Sequence, residues 1–195
     1  MTKRLIGLTG GIATGKSTVA NYLASVYGLP ILDADIYARD AVSESSVILS
    51  QITQRYGKEI LLTDGNLNRK KLAEIIFNQS PERSWVENLI HPYVRNCFLK
   101  TIEESPNDTL VLVIPLLFEA GLENLVSEIW VVYCEGETQK QRLISRNDLT
   151  EAQAIARINS QLPLEQKVTR ADVVLDNSSD LESLLHQVDL SIARF

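Results

Sequence analysis

The sequence predicts an α/β fold built on a five-stranded parallel sheet. Short apolar runs alternate with amphipathic helical segments in both halves of the chain, which is the pattern of a sheet covered by helices. A glycine-rich turn, Gly10-Gly11, follows the first apolar run directly. The 195 residues, 45% of them hydrophobic and 23% charged, have the composition of an ordinary globular chain. This balance excludes a disordered, collagen-like or coiled-coil protein.

The first strand, helix and strand form one compact unit. Leu5–Thr9 is an apolar run that predicts a buried strand, and apolar residues at helical spacing predict a helix over Lys16–Tyr27. Gly28 ends that helix, and a second strand begins at Pro30. These elements occupy about 30 residues, the size of a βαβ unit, whose strands lie parallel with a right-handed crossover.

Residues 34 to about 104 interrupt this alternation with predicted helices. Two apolar faces at helical spacing precede a third helical segment, Glu82–Glu104. That segment contains His91-Pro92, where we expect a kink or a break because proline has no N–H to donate. We interpret this stretch as a helical lobe inserted beside the sheet.

The alternation of strands and helices resumes in the second half. Thr109–Ile114 and Glu128–Cys134 are apolar runs of the kind that a sheet buries on both faces, and Val173–Leu175 predicts a fifth strand. One helix is predicted over Glu137–Arg146, and a second is predicted to start at the capping box Thr150-Glu-Ala-Gln153. A third helix is predicted over Leu181–Ala193.

Charge and cysteine content narrow the function classes. The net charge of −6 argues against bulk binding to nucleic acid, which needs a basic footprint. Residues 101–195 carry 7 basic and 16 acidic side chains, yet six of the basic ones fall between Lys140 and Arg170, which indicates a local anion site.

The two cysteines, Cys97 and Cys134, fit no metal-ligand spacing and favour a cytoplasmic location. The longest apolar run is about half a membrane span, so no membrane partner is expected.

Gly10–Ser17 matches G-x-x-x-x-G-K-[ST], a loop that binds the phosphates of a nucleoside triphosphate. Glycines let successive backbone N–H groups point at phosphate oxygens, and the next helix adds its positive end. Lys16 is expected to bridge the β- and γ-phosphates of ATP, and Ser17 to ligate Mg²⁺. The chain has no D-x-x-G, which disfavours a regulatory GTPase. The expected ATP contacts are Gly11, Ile12, Ala13, Thr14, Gly15, Lys16, Ser17 and Thr18.

Asp33 and Asp35 follow the second predicted strand, at the end where ligands of open α/β sheets bind. A carboxylate there can take a proton from an attacking hydroxyl or hold Mg²⁺ through water. Asp33 is equally well placed to cap a helix that starts at Ala34. Because the third strand ends in Pro115 and not in an aspartate, these two acids are the best candidates to balance a metal.

Arginines in the basic segment predict a lid. Arg142 and Arg146 share one helix face, and Arg157 and Gln161 repeat the spacing on the next helix. A mobile helical lid would clamp the transferring phosphoryl group and exclude water. The alternative is a solvated face paired with neighbouring acids. One domain in three parts is thus predicted: a core over about 1–35 and 107–195, a helical lobe over about 36–106 and a lid over about 138–170.

Taken together, these motifs resemble the dephospho-CoA kinase family over nearly the whole chain. The resemblance implies a three-layer P-loop kinase fold with strand one at the centre of the sheet. It also implies transfer of the ATP γ-phosphoryl group to the ribose 3′-hydroxyl of dephospho-coenzyme A, the last step of coenzyme A synthesis. It is carried by Gly10–Ser17, Asp33-Ala-Asp35, Arg39, His91-Pro92, Pro115–Glu119, Arg142, Arg146, Leu149-Thr150, Arg157, Gln161 and Ala171–Asn177.

Residue roles follow from the same resemblance. Asp33 is implied to be the general base, acting with Lys16 and with Arg142 of the lid, and Arg146 and Asn177 are implied to contact the nucleotide. The resemblance implies an acceptor site lined by Asp33, Asp35, Arg39, His91, Leu117, Phe118, Glu119 and Arg142. A histidine before proline is more often a structural hydrogen-bonding residue, so His91 keeps that second interpretation.

Two other functions remain open from the sequence. One is a kinase of the same architecture that phosphorylates a different small molecule, and the other is a nucleotide-binding regulatory module that transfers nothing. Acceptor-dependent release of ADP separates these classes. The expected partner is the small molecule dephospho-coenzyme A, with no nucleic acid and no membrane, and the sequence does not indicate the oligomeric state.

Overall fold

The computed structural model describes residues 3–194, with every side chain in that range except that of Asn78. The chain folds as two compact units. One comprises the described parts of Met1–Asp33 and Pro106–Phe195, and the other comprises Ala34–Ser105. The first unit contains the whole β-sheet, whereas the second is helical.

The sheet has five parallel strands in the order β2-β3-β1-β4-β5, so its first strand is central. Its strands are β1 (Arg4–Gly10), β2 (Ile31–Asp33), β3 (Thr109–Val113), β4 (Glu128–Tyr133) and β5 (Val173–Asp176). The predicted five-stranded parallel sheet is confirmed. Leu110 to Val113 are all buried, as expected of a strand covered on both faces.

Helices connect the strands and form the second unit. They are α1 (Lys16–Tyr27), α2 (Ala34–Ala41), α3 (Val47–Tyr56), α4 (Arg69–Asn78), α5 (Ser80–Glu104), α6 (Gly136–Asn147), α7 (Glu151–Asn159), α8 (Leu164–Val168) and α9 (Leu181–Ile192). The predicted capping box is confirmed at the start of α7, where Thr150 and Gln153 exchange side-chain and backbone hydrogen bonds. Gly28 ends α1 with a φ of 63°, which favours glycine.

The core of the first unit packs α1 and α9 against one face of the sheet. Leu23 from α1 and Leu184 from α9 are fully buried against strand residues such as Ile6. Trp130 is also fully buried, and its indole N–H donates to Glu128 Oε2 at 2.8 Å. A buried indole needs such a partner, since an unpaired N–H in the core costs free energy.

The helical unit has its own apolar core, which includes Leu49, Ile52 and Val86. Its longest helix, α5, runs through Pro92 for 25 residues, so of the two predicted outcomes at this proline the break is wrong and the kink stays a prediction. Pro92 is exposed, and water can therefore satisfy the carbonyl that loses its donor. Buried Val86 and Val94 anchor the helix on both sides of the proline.

Glu82 ties α5 to α3 within the helical unit. Its carboxylate accepts from Nε and Nη2 of Arg55 at 2.7 and 2.8 Å, and from the Tyr56 hydroxyl at 2.5 Å. The Arg55 guanidinium also lies over the Trp85 ring, 4.5 Å from its centroid. These donors, Arg55 first, lower the pKa of Glu82 to about 2.

Glu82→Gln is expected to lower the thermal unfolding midpoint at pH 7. The carboxylate with its lowered pKa stabilises the fold above its usual pKa of 4.5, and this contribution is lost as the pH falls toward 2. The difference between wild type and variant should therefore shrink over that window. Circular dichroism melts at several pH values measure it. Glu103→Gln, at an exposed position of the same helix, is the control and should show no such trend.

Candidate active site

The phosphate loop between β1 and α1 has the backbone of an anion cradle. Three of its residues have positive φ: Gly10 at 145°, Ala13 at 61° and Gly15 at 109°. Alternation of left- and right-handed backbone turns successive N–H groups toward one concave side. Ala13 adopts this conformation without being glycine, which costs roughly 1–2 kcal/mol and is held in place by its surroundings.

Three glycines of the loop are closely packed, and only at Gly10 is the nearest atom part of the backbone. A Cβ atom on Gly10 would lie 2.4 Å from the Val132 carbonyl oxygen, which is backbone and cannot move aside. A Cβ atom on Gly11 would lie 2.4 Å from Nε2 of Gln139, and one on Gly15 would lie 2.3 Å from Nδ2 of Asn177. The β4 backbone and the side chains of Gln139 and Asn177 therefore pack directly against the glycines of this loop.

Gly10→Ala is expected to reduce the free energy of unfolding by roughly 3 kcal/mol, because it combines a disfavoured φ with a clash against β4. ATP binding should be lost as well, since the cradle is displaced. Denaturant unfolding and nucleotide titration measure these effects. Gly28→Ala is the control: its φ is also positive, but a Cβ there meets nothing within 4 Å, so the loss should be about 1 kcal/mol.

Helix α1 starts at the loop and offers its N-terminus to it. Gly15 is the N-cap residue and has no side chain to occupy the first-turn N–H groups. Lys16 Nζ lies back on the loop, donating to the carbonyls of Gly11 at 2.6 Å and Gly10 at 3.2 Å. Ser17 and Thr18 are exposed in the first turn. This is the arrangement expected of a site that receives phosphate oxygens.

Three amide side chains hold the loop from outside. Gln139 of α6 donates from Nε2 to the Ile12 carbonyl at 2.8 Å, and Ile12 N–H donates to Oε1 of Gln161 at 3.0 Å. Asn177, which follows β5 and is 8% exposed, donates from Nδ2 to the Thr14 carbonyl at 2.8 Å. Gln139 is not among the site residues predicted from the sequence, because its local sequence pattern does not distinguish it from any other helical glutamine.

Asp33 is the last residue of β2 and is half-buried. It pairs with Val113 of β3, which in turn pairs with Leu8 of β1, so Asp33 lies at the same sheet edge as the loop. Adjacent strands are about 4.8 Å apart, which puts its backbone roughly 10 Å from that of β1. Asp35 lies in the first turn of α2, in the helical unit, and is exposed.

Arg142 and Arg146 both lie on α6 but in different surroundings. Arg146 is exposed and donates to Oδ1 of the adjacent Asn147 at 3.0 Å. Arg142 is half-buried, and its Nη1 is buried without a hydrogen-bond partner among residues 3–194. A buried guanidinium N–H without an acceptor costs free energy that a bound anion would recover.

Cys134 follows β4 and packs beside Arg142. The thiol is 1% exposed, and burial raises its pKa although the Arg142 guanidinium acts in the opposite direction. Its neutral form leaves the positive charge of Arg142 uncompensated by this neighbour. The Arg142 side chain therefore keeps its attraction for a phosphate.

The predicted helix containing Arg157 ends earlier than expected. Helix α7 stops at Asn159, so Arg157 is helical but Gln161 lies beyond the helix, and the expectation that they share a helix face is wrong. The chain turns at Ser160, whose hydroxyl bonds the Arg157 carbonyl. This turn is what brings Gln161 to the loop.

The Pro115–Glu119 segment packs against the lid sequence. Leu117 is fully buried, and Phe118 is 7% exposed beside Leu164. Oε1 of Glu119 accepts from Nζ of Lys167 at 2.8 Å and from Leu162 N–H at 2.9 Å. Lys167 itself has no exposed side-chain surface, and its Nζ also donates to the Pro115 carbonyl at 3.1 Å. In this structure the predicted acceptor residues Leu117, Phe118 and Glu119 thus contact other parts of the protein.

The other predicted acceptor residues belong to the helical unit. Arg39 lies in the last turn of α2 and lines a cavity of about 600 Å³ with Arg69 and Lys70. Asp40 and Asp64 line the same cavity. His91 is half-buried within α5.

A second cavity, of about 440 Å³, lies beside the phosphate loop in the first unit. It is lined by Gly11, Cys134, Gln139, Gln161 and Leu162, among others. In the described part of the chain no three His, Cys, Asp or Glu side chains are grouped to hold a metal. None of the described helices has the length and apolarity to cross a membrane.

Comparisons with known proteins agree on one family. A family model described as dephospho-CoA kinase matches residues 4–183. The dephospho-CoA kinase of Trichormus variabilis is 68% identical over 192 residues, 98% of each chain. The crystal structure of TT1252 from Thermus thermophilus is similar with a TM-score of 0.85 and 32% identity, covering 100% of this chain and 99% of that one.

A solved dephospho-CoA kinase from Campylobacter jejuni covers 97% of this chain and 95% of its own, with a TM-score of 0.72 and 29% identity. The predicted P-loop kinase fold is therefore confirmed. The family match also spans the phosphate loop, Asp33 and the arginines of α6. The chain belongs to the dephospho-CoA kinase family.

Proposed function

We propose that Lys16, Asp33 and Arg142 carry out the phosphoryl transfer of this kinase. Its activity is the ATP-dependent phosphorylation of dephospho-CoA in CoA biosynthesis. The observation that carries the proposed roles is the phosphate cradle of β1 with Asp33 at the same sheet edge, two strands away. A cradle for ATP beside a carboxylate for the acceptor hydroxyl is what transfer to an alcohol requires.

The loop binds the β- and γ-phosphates through its backbone N–H groups and Lys16. In the structure Nζ of Lys16 contacts two loop carbonyls, and it exchanges these neutral acceptors for phosphate oxygens when ATP binds. A phosphate oxygen carries a negative charge that a backbone carbonyl lacks, so its Coulomb attraction for the ammonium group is stronger. The exchange therefore favours the nucleotide-bound arrangement.

Asp33 acts on the acceptor. The ribose 3′-hydroxyl gives its proton to a carboxylate oxygen of Asp33 as the hydroxyl oxygen attacks the γ-phosphorus. The bond from that phosphorus to the bridging oxygen breaks, and ADP leaves with the electron pair. Asp33 comes directly before α2, so capping of that helix remains the competing role.

Arg142 stabilises the charge that develops on the transferring group. Its Nη1 supports this role because it is buried and has no acceptor in the described part of the chain. A donor held in place before the reaction stabilises the transition state without a reorganisation cost. The flanking Arg146 is exposed, and its contact with the nucleotide stays a prediction.

Mg²⁺ fits the donors at this site. Magnesium prefers oxygen ligands and is usually bound by one or two protein groups together with substrate phosphates. The Ser17 hydroxyl is exposed in the first turn of α1, and Asp33 supplies a carboxylate at the same sheet edge. Bound there, the ion would neutralise charge on the β- and γ-phosphates.

Acceptor binding is assigned to Asp35, Arg39 and His91 of the helical unit. Arg39 lines a cavity that holds three basic side chains and two acidic ones, and this basic excess supports a contact with the anionic part of dephospho-CoA. Leu117, Phe118 and Glu119 stay predicted acceptor contacts; in this structure Leu117 and Phe118 are buried, and Glu119 pairs with Lys167. Asn177 supports the loop through Thr14, and its contact with the nucleotide base stays a prediction.

The cellular setting is inferred from the two thiols. Cys97 and Cys134 are free cysteines, which supports a reducing, cytoplasmic location. The partners of the reaction are small molecules, ATP and dephospho-CoA.

Release of ADP tests the proposed function. With Mg²⁺ and ATP, dephospho-CoA should stimulate ADP release, and the product should carry a new phosphate on the ribose 3′ position. Adenosine and AMP serve as control acceptors and should stimulate little. Equal stimulation by AMP would support a kinase for a different small molecule. Binding of ATP without any acceptor-stimulated turnover would support a regulatory module.

A further inference from the structure

Two glutamines of the predicted lid sequence bind the same residue of the phosphate loop, on the two successive peptide units that flank its Cα atom. Gln139 lies in α6, and its Nε2 donates to the Ile12 carbonyl at 2.8 Å. Gln161 lies between α7 and α8, and its Oε1 accepts from Ile12 N–H at 3.0 Å. Residues 127 and 149 positions away in sequence therefore meet at one residue of the loop.

Backbone polarity fixes the role of each glutamine. The Ile12 carbonyl can only accept, so Gln139 must be a donor, and the Ile12 N–H can only donate, so Gln161 must be an acceptor. Gln139 is 4% exposed and lies against Gly11, where a Cβ atom would come within 2.4 Å of its Nε2. Its position is therefore set by packing as well as by the hydrogen bond.

Gln161 is held just as firmly through its neighbour. Leu162 N–H donates to Oε1 of Glu119, and that carboxylate pairs with the fully buried Lys167. Movement of the chain at Gln161 is thus resisted on one side by this buried ion pair and on the other by the loop. Gln161 thus binds the Gly11–Ile12 peptide, whose carbonyl Lys16 contacts, and Gln139 binds the Ile12–Ala13 peptide that follows it.

We propose that Gln139 and Gln161 are positioning residues that couple the lid to the occupancy of the phosphate loop. The inference rests on the proposed function of that loop. When phosphate oxygens replace the Gly10 and Gly11 carbonyls at Lys16, the two peptides on either side of Ile12 reorient, and the two glutamines transmit this change to α6 and to the 161–164 turn. By linkage, the lid in turn biases the affinity of the loop for nucleotide.

The first arm of the test changes both glutamines to glutamate. Gln139→Glu and Gln161→Glu add the same charge, but a carboxylate can replace the acceptor of Gln161 and cannot replace the donor of Gln139. We expect kcat for phosphorylation of dephospho-CoA to fall roughly 10- to 100-fold in Gln139→Glu, because misplaced groups lose rate steeply. The loss in Gln161→Glu should be several times smaller.

Hydrogen exchange of the Ile12 amide, followed by NMR, gives a readout that needs no turnover. Gln161→Leu removes the acceptor, so Ile12 N–H should exchange roughly 3- to 10-fold faster, whereas Gln161→Glu should keep its protection. Addition of ADP should change the exchange of Leu162 N–H in the wild type. In Gln161→Leu, ADP should still bind, but its effect on Leu162 should be lost.

Gln141→Glu is the matched control, because Gln141 is exposed on the same helix and bonds Glu137, not the loop. It should change neither kcat nor Ile12 exchange. Equal losses in the two glutamate variants, or an ADP effect on Leu162 that survives Gln161→Leu, would overturn the coupling. A melting temperature for each variant identifies a misfolded Gln139→Glu, and the Gln161→Leu arm then decides. Failure of the wild type to phosphorylate dephospho-CoA would instead contradict the proposed function.

Discussion

Asp33→Asn is expected to lower kcat for phosphorylation of dephospho-CoA by roughly 10²–10⁴, the usual contribution of a general base. Asparagine keeps the size of the side chain but cannot accept the proton of the attacking hydroxyl. Binding of ATP should be retained, because the groups that bind its phosphates, the loop N–H groups and Lys16, are unchanged in this variant. Steady-state kinetics and nucleotide titration measure the two quantities separately.

Asp108→Asn is a matched control for the loss of one carboxylate. Asp108 is exposed and comes directly before β3, at the opposite sheet edge from Asp33. The kcat of the Asp108→Asn variant should equal that of the wild type. Asparagine caps a helix about as well as aspartate does, so a near-normal kcat in Asp33→Asn with an unchanged melting temperature would favour the capping role of Asp33 over catalysis.

Glu119→Leu is expected to reduce the free energy of unfolding by about 3 kcal/mol. The side chain of Lys167 has 0% exposure, so its ammonium group loses its only carboxylate partner in the described structure and keeps a single neutral acceptor, the Pro115 carbonyl. Breaking a buried pair from one side typically costs about 3–5 kcal/mol, and the 24% exposure of Glu119 argues for the lower limit. Urea denaturation followed by circular dichroism measures the change.

The reverse change, Lys167→Met, should cost less, about 1 kcal/mol, because methionine fills the same space and Glu119 can reach water. The double variant should resemble Lys167→Met alone, since no buried charge remains. A double variant as unstable as the sum of both single ones would show that packing, not the unpaired ammonium, sets the cost.

The fold could be predicted because its signals are local. Strand residues such as Leu110–Val113 form uninterrupted apolar runs, and the capping box of α7 lies within four residues of sequence. The Gly10–Ser17 motif likewise carries its own context, with β1 directly before it and α1 starting inside it. Each of these features is decided by neighbours along the chain.

The surroundings of the loop could not be predicted, because they depend on residues far away in sequence. A glutamine at 139 looks like a solvent-facing helical residue until α6 packs next to Gly11. Lys167 fell within a basic segment that indicated an anion-binding lid, yet it is fully buried against Glu119. Whether a charge is solvated or paired is a property of tertiary packing, which one sequence does not contain.

At Pro92 the local rule that proline breaks a helix is outweighed by the packing of the helix that contains it. Proline does remove one hydrogen bond from α5, but the helix also buries Val86, Val94 and Phe98, and this packing keeps the helix continuous on both sides of the proline. Loss of one exposed hydrogen bond costs less than separating these contacts from the core. A rule about one residue fails where its neighbours are anchored on both sides.

The central place of β1 has a consequence for the order in which this enzyme is made. Strand β1 is synthesised before the other four strands, yet it lies in the middle of the sheet, and Leu8 pairs with Val113 and Trp130, residues added long afterwards. The walls of the loop come later still, since Gly10 lies against Val132 and Gly15 against Asn177. At about 5–20 residues per second, a ribosome adds Asn177 roughly ten seconds or more after Gly15. A growing chain therefore carries the complete loop motif long before it has a nucleotide site, and ATP can stabilise the loop only after synthesis has passed Asn177.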